Sequence, residues 1–316
     1  MKQKLYININ QYKINSEIYS SIEIEIIPIP NKIGNFIYIY NDRYFDIYFN
    51  DNKKEKIERT YLTRKDKVTK INIKINYLLN GFGDLFRECR CIESIKFKKF
   101  YRTNIKDMTR MFYGCSSLQE INFNSFKTDN VTNMREMFYR CSSLKELNLS
   151  NFNTNNVTNM FLMFYYCSSL KKLDVSNFNI NNETNMCGMF SFCSSLEEIN
   201  LPNFNTYNGI NLDYMFSYCS SLKSLNISNL NTDLISMDYI FAFCSSLEEL
   251  TIFNFNTNNN VEITKMFFGC YSLKELIISN LNKKCLLKNI KNLLKECSNE
   301  LKMKIKDDIE YIRKRP

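Results

Sequence analysis

The chain has no histidine and no tryptophan, and only 7 glycines and 4 prolines among its 316 residues. Each shortage closes a class of function. Without histidine, the imidazole that usually activates a serine or cysteine nucleophile is missing, as is the commonest neutral metal ligand. The sequence holds no Gly-rich phosphate-cradling loop, which disfavours nucleotide chemistry, and the Gly-Phe-Gly at residues 81–83 reads as a turn. No window approaches the ~18–20 apolar residues needed to cross a membrane, and neither end carries a lipidation signal. The opening MKQKLYININQYK alternates polar and apolar residues and has no leader-like apolar run. The expectation is a cytoplasmic protein with no membrane span; the alternative is the cell surface, reached by a non-classical route.

What is plentiful is charge, unevenly placed. Residues 1–102 hold 20 Lys/Arg against 12 Asp/Glu and residues 283–316 hold 11 against 5, whereas residues 103–282 hold 11 against 16. Basic ends can touch nucleic acid or an anionic membrane. The acidic middle leaves no long basic groove, which disfavours nucleic acid as the partner.

Self-similarity sets the architecture. Cys89, Cys115, Cys141, Cys167, Cys193, Cys219, Cys244 and Cys270 follow one another at steps of 26, with a single 25. Around them runs M-x-x-M-F-x-x-C-S-S-L-x-E-L-x-L-S-N-F-N-T-x-N-V-T-N. A period this regular means stacked units, none able to bury its apolar face alone. Met134, Met137, Phe138 and Cys141 fall at i, i+3, i+4 and i+7, the spacing of one helix face. The set recurs as Met160, Met163, Phe164 and Cys167, with Thr132, Thr158 and Thr184 placed ahead as candidate caps. Leu144, Leu147 and Leu149 then follow L-x-x-L-x-L into a strand. Phe100, Phe126, Phe152, Phe178, Phe204, Leu230, Phe255 and Leu281 form an apolar column at the loop.

The predicted fold is an α/β right-handed leucine-rich-repeat solenoid. It has a parallel sheet on the concave face, short helices on the convex face and a β-rich N-terminal segment. The repeat M-F-x-x-C-S-S-L-K-E-L-N-L-S-N-F-N-T-x-N-V-T-N-M resembles that of the BspA-like leucine-rich repeat proteins over about residues 82–282, most specifically over 108–201. Later units depart from it: Leu212 and Ile263 replace the first methionine and Ile240 the second. Phe152 stands where the commoner leucine-rich repeat carries a loop-bonding Asn, so Asn151 and Asn153 are expected to take up part of that work. The resemblance implies adhesion and host-surface binding, roles that bacterial members pair with export signals.

Three regions follow: residues 1–80 as a β-rich N-terminal domain or cap, 81–282 as the repeats, and 283–316 as a degenerate capping repeat and charged tail. Tyr6/Ile8, Ile22/Ile24/Ile26, Ile37/Ile39 and Ile71/Ile73/Ile75 are the N-terminal alternating runs, with TKINIKI expected to seed the repeat sheet. Leu293, Leu294 and Cys297 supply the last predicted helix face, and Leu301, Met303 and Ile305 a final strand.

The repeated cysteine has a structural reading. Zinc needs ligands clustered at C-x₂₋₄-C, whereas Cys115, Cys141, Cys167, Cys193, Cys219, Cys244 and Cys270 are a full repeat apart and only Cys89 and Cys91 are close. Stacked rungs bring equivalent cysteines near bridging distance, but ladder side chains run side by side and the cytosol is reducing. A buried ladder of reduced thiols remains. No catalytic residue, cofactor or metal site is identified, and no small-molecule substrate is implied. The NVT and NLS sequons at Asn130, Asn156 and Asn148 read as products of the Asn/Ser/Thr-rich repeat.

What is left is surface. Outward strand positions form two rows, Asn122, Asn148, Asp174, Asn200 and Asn226 beside Glu120, Glu146, Lys172, Glu198, Ser224 and Glu249. Such a polar, mildly acidic face suits a protein partner, a basic one in particular. The expected function is a non-enzymatic protein–protein interaction scaffold; the alternative is a surface-exposed or secreted adhesin.

Overall fold

A short repeat has backbone groups and apolar side chains that only the next repeat can satisfy. The computed structural model describes residues 21–39, 45–76, 79–100, 102–180, 184–202, 211–227, 231–232, 236–252, 256–257, 265–278, 296–301 and 303. In it the units stack in parallel, one rung on the next. Gly81, Asp107, Asn133, Asn159 and Asn185 pair in a single parallel line ahead of the arcs.

The N-terminal strands are β1 (Ile22–Pro28), β2 (Gly34–Asn35), β3 (Phe45–Phe49), β4 (Tyr61–Leu62) and β5 (Ile71–Ile75). The rungs contribute β6 (Ile92–Lys99), β7 (Glu120–Asn122), β8 (Lys172–Asp174), β9 (Glu198–Asn200) and β10 (Ser224–Ile227). They continue with β11 (Asn231–Thr232), β12 (Glu249–Ile252), β13 (Asn256–Thr257) and β14 (Glu275–Ile278). The repeat sheet comes in segments: β6 with β7, β8 with β9, and β10-β12-β14, every pair parallel. Residues 145–149 keep the same alternation, Leu147 and Leu149 inward and Glu146 and Asn148 outward, outside the assigned strands.

The expected short helices are a correction. The arcs are chains of tight turns with residues in the left-handed region, Glu136 at φ 55° and Arg140 at φ 57° in one rung. Met137, Tyr139 and Cys141 donate back to Met134, Glu136 and Phe138 carbonyls at 3.2, 3.2 and 3.0 Å. The alternate amides of Met134, Glu136, Phe138 and Arg140 leave the rung and reach Asn159, Phe161, Met163 and Tyr165 carbonyls at 2.7–2.9 Å. A helix would need every amide turned along its own axis toward residue i−4. Two consecutive four-residue turns bury i, i+3, i+4 and i+7 just as a helix does, and Met134, Met137, Phe138 and Cys141 are all fully buried. An eight-residue arc is too short to nucleate a helix cheaply, and a parallel neighbour supplies acceptors instead. The left-handed region costs a residue with a Cβ ~1–2 kcal/mol, offset here by the ladder it permits.

The threonines ahead of the arcs do not cap them. Thr132 and Thr158 donate to Lys106 and Thr132 carbonyls of the preceding rung at 3.3 and 3.4 Å, and Thr184 to the Val157 carbonyl at 3.2 Å. The capping acceptor is the next residue, Asn133, Asn159 or Asn185, whose Oδ1 takes the amide two residues on at 3.0–3.1 Å. Inside, Phe86, Phe112, Phe138, Phe164, Phe190, Phe216, Phe241 and Phe267 stack ring on ring with centroids 5.4–5.8 Å apart. In the loops Asn151 donates to the Asn124 carbonyl at 3.2 Å and Asn153 to Asp129 Oδ1 at 3.1 Å, tying neighbouring rungs together.

At the N-terminal end β1, not β5, meets the repeat sheet. It lies antiparallel between β5 and β6, with Ile26 opposite Ile95 and Glu25 opposite Lys96. Glu25 pairs with Lys98, and Glu23 with Lys99 at 2.7 Å. Ile37 and Ile39 are outside any strand. At the other end Cys297 and Leu301 are buried, but residues 299–301 and 303 are helical, with Met303 exposed, where a strand was expected. Ser298 caps that helix by accepting the Leu301 amide at 3.2 Å. The Tyr6/Ile8 run, Phe204, Leu230, Phe255, Leu281, Leu293, Leu294 and Ile305 lie outside the described residues.

Phe164 touches two stacked neighbours in a fully buried column. Phe164→Ala is expected to cost about 3–5 kcal/mol, read as a lower denaturant midpoint in equilibrium unfolding.

Candidate binding faces

The outward strand residues form two straight rows because parallel pairing keeps register. Glu120 stands beside Ser94, Glu198 beside Lys172, and Glu249 between Ser224 and Glu275. In the second row Asn122 stands beside Lys96, Asp174 beside Asn200, and Asn226 beside Thr251, which is itself next to Ile277. Glu146 and Asn148 are exposed on the same side of residues 145–149.

Charges on this face pair across rungs. Lys172 bonds Glu198 at 2.8 Å, Lys274 bonds Glu248 at 2.8 Å, and Lys171 lies 4.0 Å from Glu197. Solvent screens such exposed pairs, so they set surface pattern more than stability. Glu120, Glu146, Glu249 and Glu275 have no ion-pair partner among the described residues. Asp174 is held below the usual carboxylate range by hydrogen bonds from the Ser176 hydroxyl and amide. Two shallow grooves open beside the rows. One of ≈ 680 Å³ is lined by Lys145, Glu146, Asn148, Lys171 and Lys172, the other of ≈ 820 Å³ by Glu198, Asn200, Ser224, Asn226 and Glu249.

The cysteines occupy a different place. Cys115, Cys141, Cys167, Cys193, Cys219, Cys244 and Cys270 are unpaired and fully buried. Each thiol donates to a phenylalanine carbonyl of the preceding rung: Phe86, Phe112, Phe138, Phe164, Phe190, Phe216 and Phe241, at 2.8–3.2 Å. That carbonyl already accepts a turn amide, so the thiol takes its second lone pair, a bond that valine or alanine could not make. Desolvation pushes the Cys193 and Cys244 thiols up to about 12. Cys91 turns instead toward the Asn35 carbonyl at 3.2 Å. Among the described residues no three Cys, Asp or Glu side chains group as metal ligands.

The opposite side of the solenoid went unread in the sequence. Tyr166, Phe192, Tyr218 and Phe243 follow at one position per rung, stacked at 5.4, 4.3 and 4.4 Å. Tyr113, Tyr139 and Tyr165 stack beside them at 4.6 and 4.8 Å, as do Tyr214 and Tyr239 at 5.1 Å. Such contacts contribute ~0.5–1.5 kcal/mol each beyond burial. The signal was available: Gly114, Gly188 and Gly269 in those columns mark left-handed turns, and a turn residue points outward.

The family described as "Mycoplasma protein of unknown function, DUF285" matches residues 80–201 and 184–306. The chain belongs to this family. Its repeats are of the BspA-like leucine-rich kind. Two solved structures are similar to it. One is a leucine-rich cell surface protein from Faecalibacterium prausnitzii A2-165, at 15% identity and TM-score 0.33, with 65% of this chain and 64% of that one covered. The other is a leucine-rich repeat protein from Bacteroides ovatus ATCC 8483, at 19% identity and TM-score 0.27, with 76% of each covered. The chain therefore spans less than two thirds of the Faecalibacterium protein's length. No match is found among curated proteins.

Cys187 is half-buried beside Asp213, and burial, then that carboxylate, raise its thiol to about 11. The thiolate is the reactive form, so alkylation of the described cysteines in the folded protein near pH 8 should be slow. Peptide mapping is expected to find Cys187 ahead of Cys141, Cys167 and Cys193, whose modification waits on unfolding; rapid modification of the ladder thiols would contradict the buried assignment.

Proposed function

We propose that this repeat protein is a non-enzymatic interaction scaffold that recognises a basic protein partner with its sheet face. The observation that carries the reading is that Glu120, Glu146, Glu249 and Glu275 stand exposed on the outward row without an ion-pair partner among the described residues, Glu249 and Glu275 side by side in strand register. Glu198 differs, because Lys172 already neutralises it. Unpaired like charges in a row cost self-repulsion that a cationic partner relieves. Rungs at ~4.8 Å make a face tens of ångströms long, enough for an interface of standard size. Asn122, Asn148, Asp174, Asn200, Ser224 and Asn226 would supply hydrogen bonds alongside.

The unpaired thiols of the described cysteines support a reducing compartment for this scaffold. No helix among the described residues is long and apolar enough to cross a membrane. Protease shaving of intact cells separates this from an adhesin role: full protection is expected, and cleavage would move the protein to the surface. Partners captured from the native cell should be lost on Glu120→Lys/Glu146→Lys/Glu249→Lys, and raised salt should weaken them. If the triple variant retains every partner of the parent chain, the sheet face is not the binding surface.

A further inference from the structure

We propose that the aromatic ridge on the turn side of the solenoid is a second docking surface, for an extended polypeptide segment bearing carboxylate and apolar side chains. The proposal is independent of the sheet face and stands on three observations.

The first is where the rings stand. Tyr166, Phe192, Tyr218 and Phe243 have φ of 61–62°, the left-handed region that a bulky side chain rarely adopts. The same column holds Gly114 and Gly269, at φ 70° and 77°, so the fold accepts glycine there. Tyr214 and Tyr239, at φ 57° and 56°, share a second such column with Gly188. Stacking offsets the backbone cost to about the same extent, so stability gives no reason to prefer aromatics at these positions. Every rung from Glu88 to Gly269 has a left-handed residue at this position, so the φ belongs to the arc, and what is particular to the middle rungs is that the position carries a ring.

The second is exposure. Tyr166 is 41% exposed, Tyr218 38% and Tyr214 45%, with the partly buried rings of Phe192, Tyr239 and Phe243 stacked against them. A contiguous apolar strip facing solvent marks an interaction site. Tyr, Phe and Arg, the residues enriched at interface cores, supply the rings and one of the cations of the strip.

The third is charge. The Arg140 guanidinium lies 5.5 Å from the Tyr139 ring and 5.8 Å from the Tyr166 ring, and the Lys265 ammonium 5.0 Å from the Tyr239 ring. Neither cation is in an ion pair among the described residues, although the Asp213 and Asp238 carboxylates stand near the Tyr214 and Lys265 end, so the Arg140 end is the more positive. They sit five rungs apart, ~24 Å at ~4.8 Å per rung, the reach of about seven residues of extended chain. Carboxylates on such a segment meet the two cations while its apolar side chains cover the ring edges between them.

Other occupants fit less well. Stacked face to face, the rings present only a narrow strip of edges outward, which gives a bilayer little to take in. Their faces are occupied by one another, so no platform is left for a nucleobase.

The test uses dye-labelled decapeptides of Asp, Leu and Ser, a matched set with Lys in place of Asp, and fluorescence anisotropy against the full chain. Binding of the Asp set is expected, weakened at least tenfold by Tyr218→Gly/Phe243→Gly and by Arg140→Glu, and unchanged by Glu120→Lys/Glu146→Lys. The glycine variant introduces the residue the column already accepts at Gly114 and Gly269, and Arg140→Glu introduces the one it accepts at Glu88, so a thermal melt confirms that both fold. No binding by the Asp set, equal or tighter binding by the Lys set, or full retention by the ridge variants overturns the proposal. Retention on phosphatidylserine-containing vesicles without peptide binding replaces it with a membrane surface. Ridge-dependent dimerisation in sedimentation, again without peptide binding, replaces it with a second copy of the chain.

Discussion

The rest of the structure depends on one constraint: every second amide of the arc must find its acceptor in the next rung. That division of amides holds neighbouring arcs in register, as the parallel pairs hold neighbouring strands. Once register is fixed, equivalent residues superpose, and each repeat position becomes a row. The phenylalanine stack, the thiol-to-carbonyl ladder and the outward rows are consequences of that superposition rather than separate inventions. The left-handed residues are what make the division possible, because a positive φ reverses the direction in which the following amide points.

This explains why cysteine suits its position. The site is fully buried, small, and faces a carbonyl with one lone pair unused. A hydrophobe of similar size would fill the volume but leave the second lone pair unmet. A serine would bring a stronger, more heavily solvated polar group into the core. The thiol is weakly polar and compact, and burial keeps it protonated. Its chemistry is quiet for the reason its packing is good.

The two surfaces differ in kind. Strand residues alternate, so the outward half is free to be polar, and it carries Glu, Lys, Asn and Ser that pair partly with one another. Turn residues on the opposite side are forced outward by backbone geometry and carry rings that stack. One repeat thus presents a polar strand face and a turn side where rings stack in the middle rungs and ion pairs such as Arg110–Glu136 stand in the earlier ones.

How much of this was legible follows from which features are side-chain patterns and which are backbone choices. Repetition at 26 residues, the inward set of Met, Phe, Cys and Leu, and the row neighbours on the strands are all periodic in the chain. Stacking identical units superposes them with no further information. The arc conformation was not legible from the apolar period, because residues at i, i+3, i+4 and i+7 face inward in a helix and in two successive turns alike. What separates the two is where Glu136, Phe138 and Arg140 send their amides, and the acceptors belong to another rung. The same holds at the N-terminal end. Several isoleucine runs alternate alike, and the structure pairs β1 with β6, Glu23 and Glu25 meeting lysines of β6 on the outward side. The sequence alone determined that the chain is a stacked repeat and which side chains are inside. The tertiary structure decided the path of the backbone between them, because hydrogen bonds between distant segments leave no period of their own.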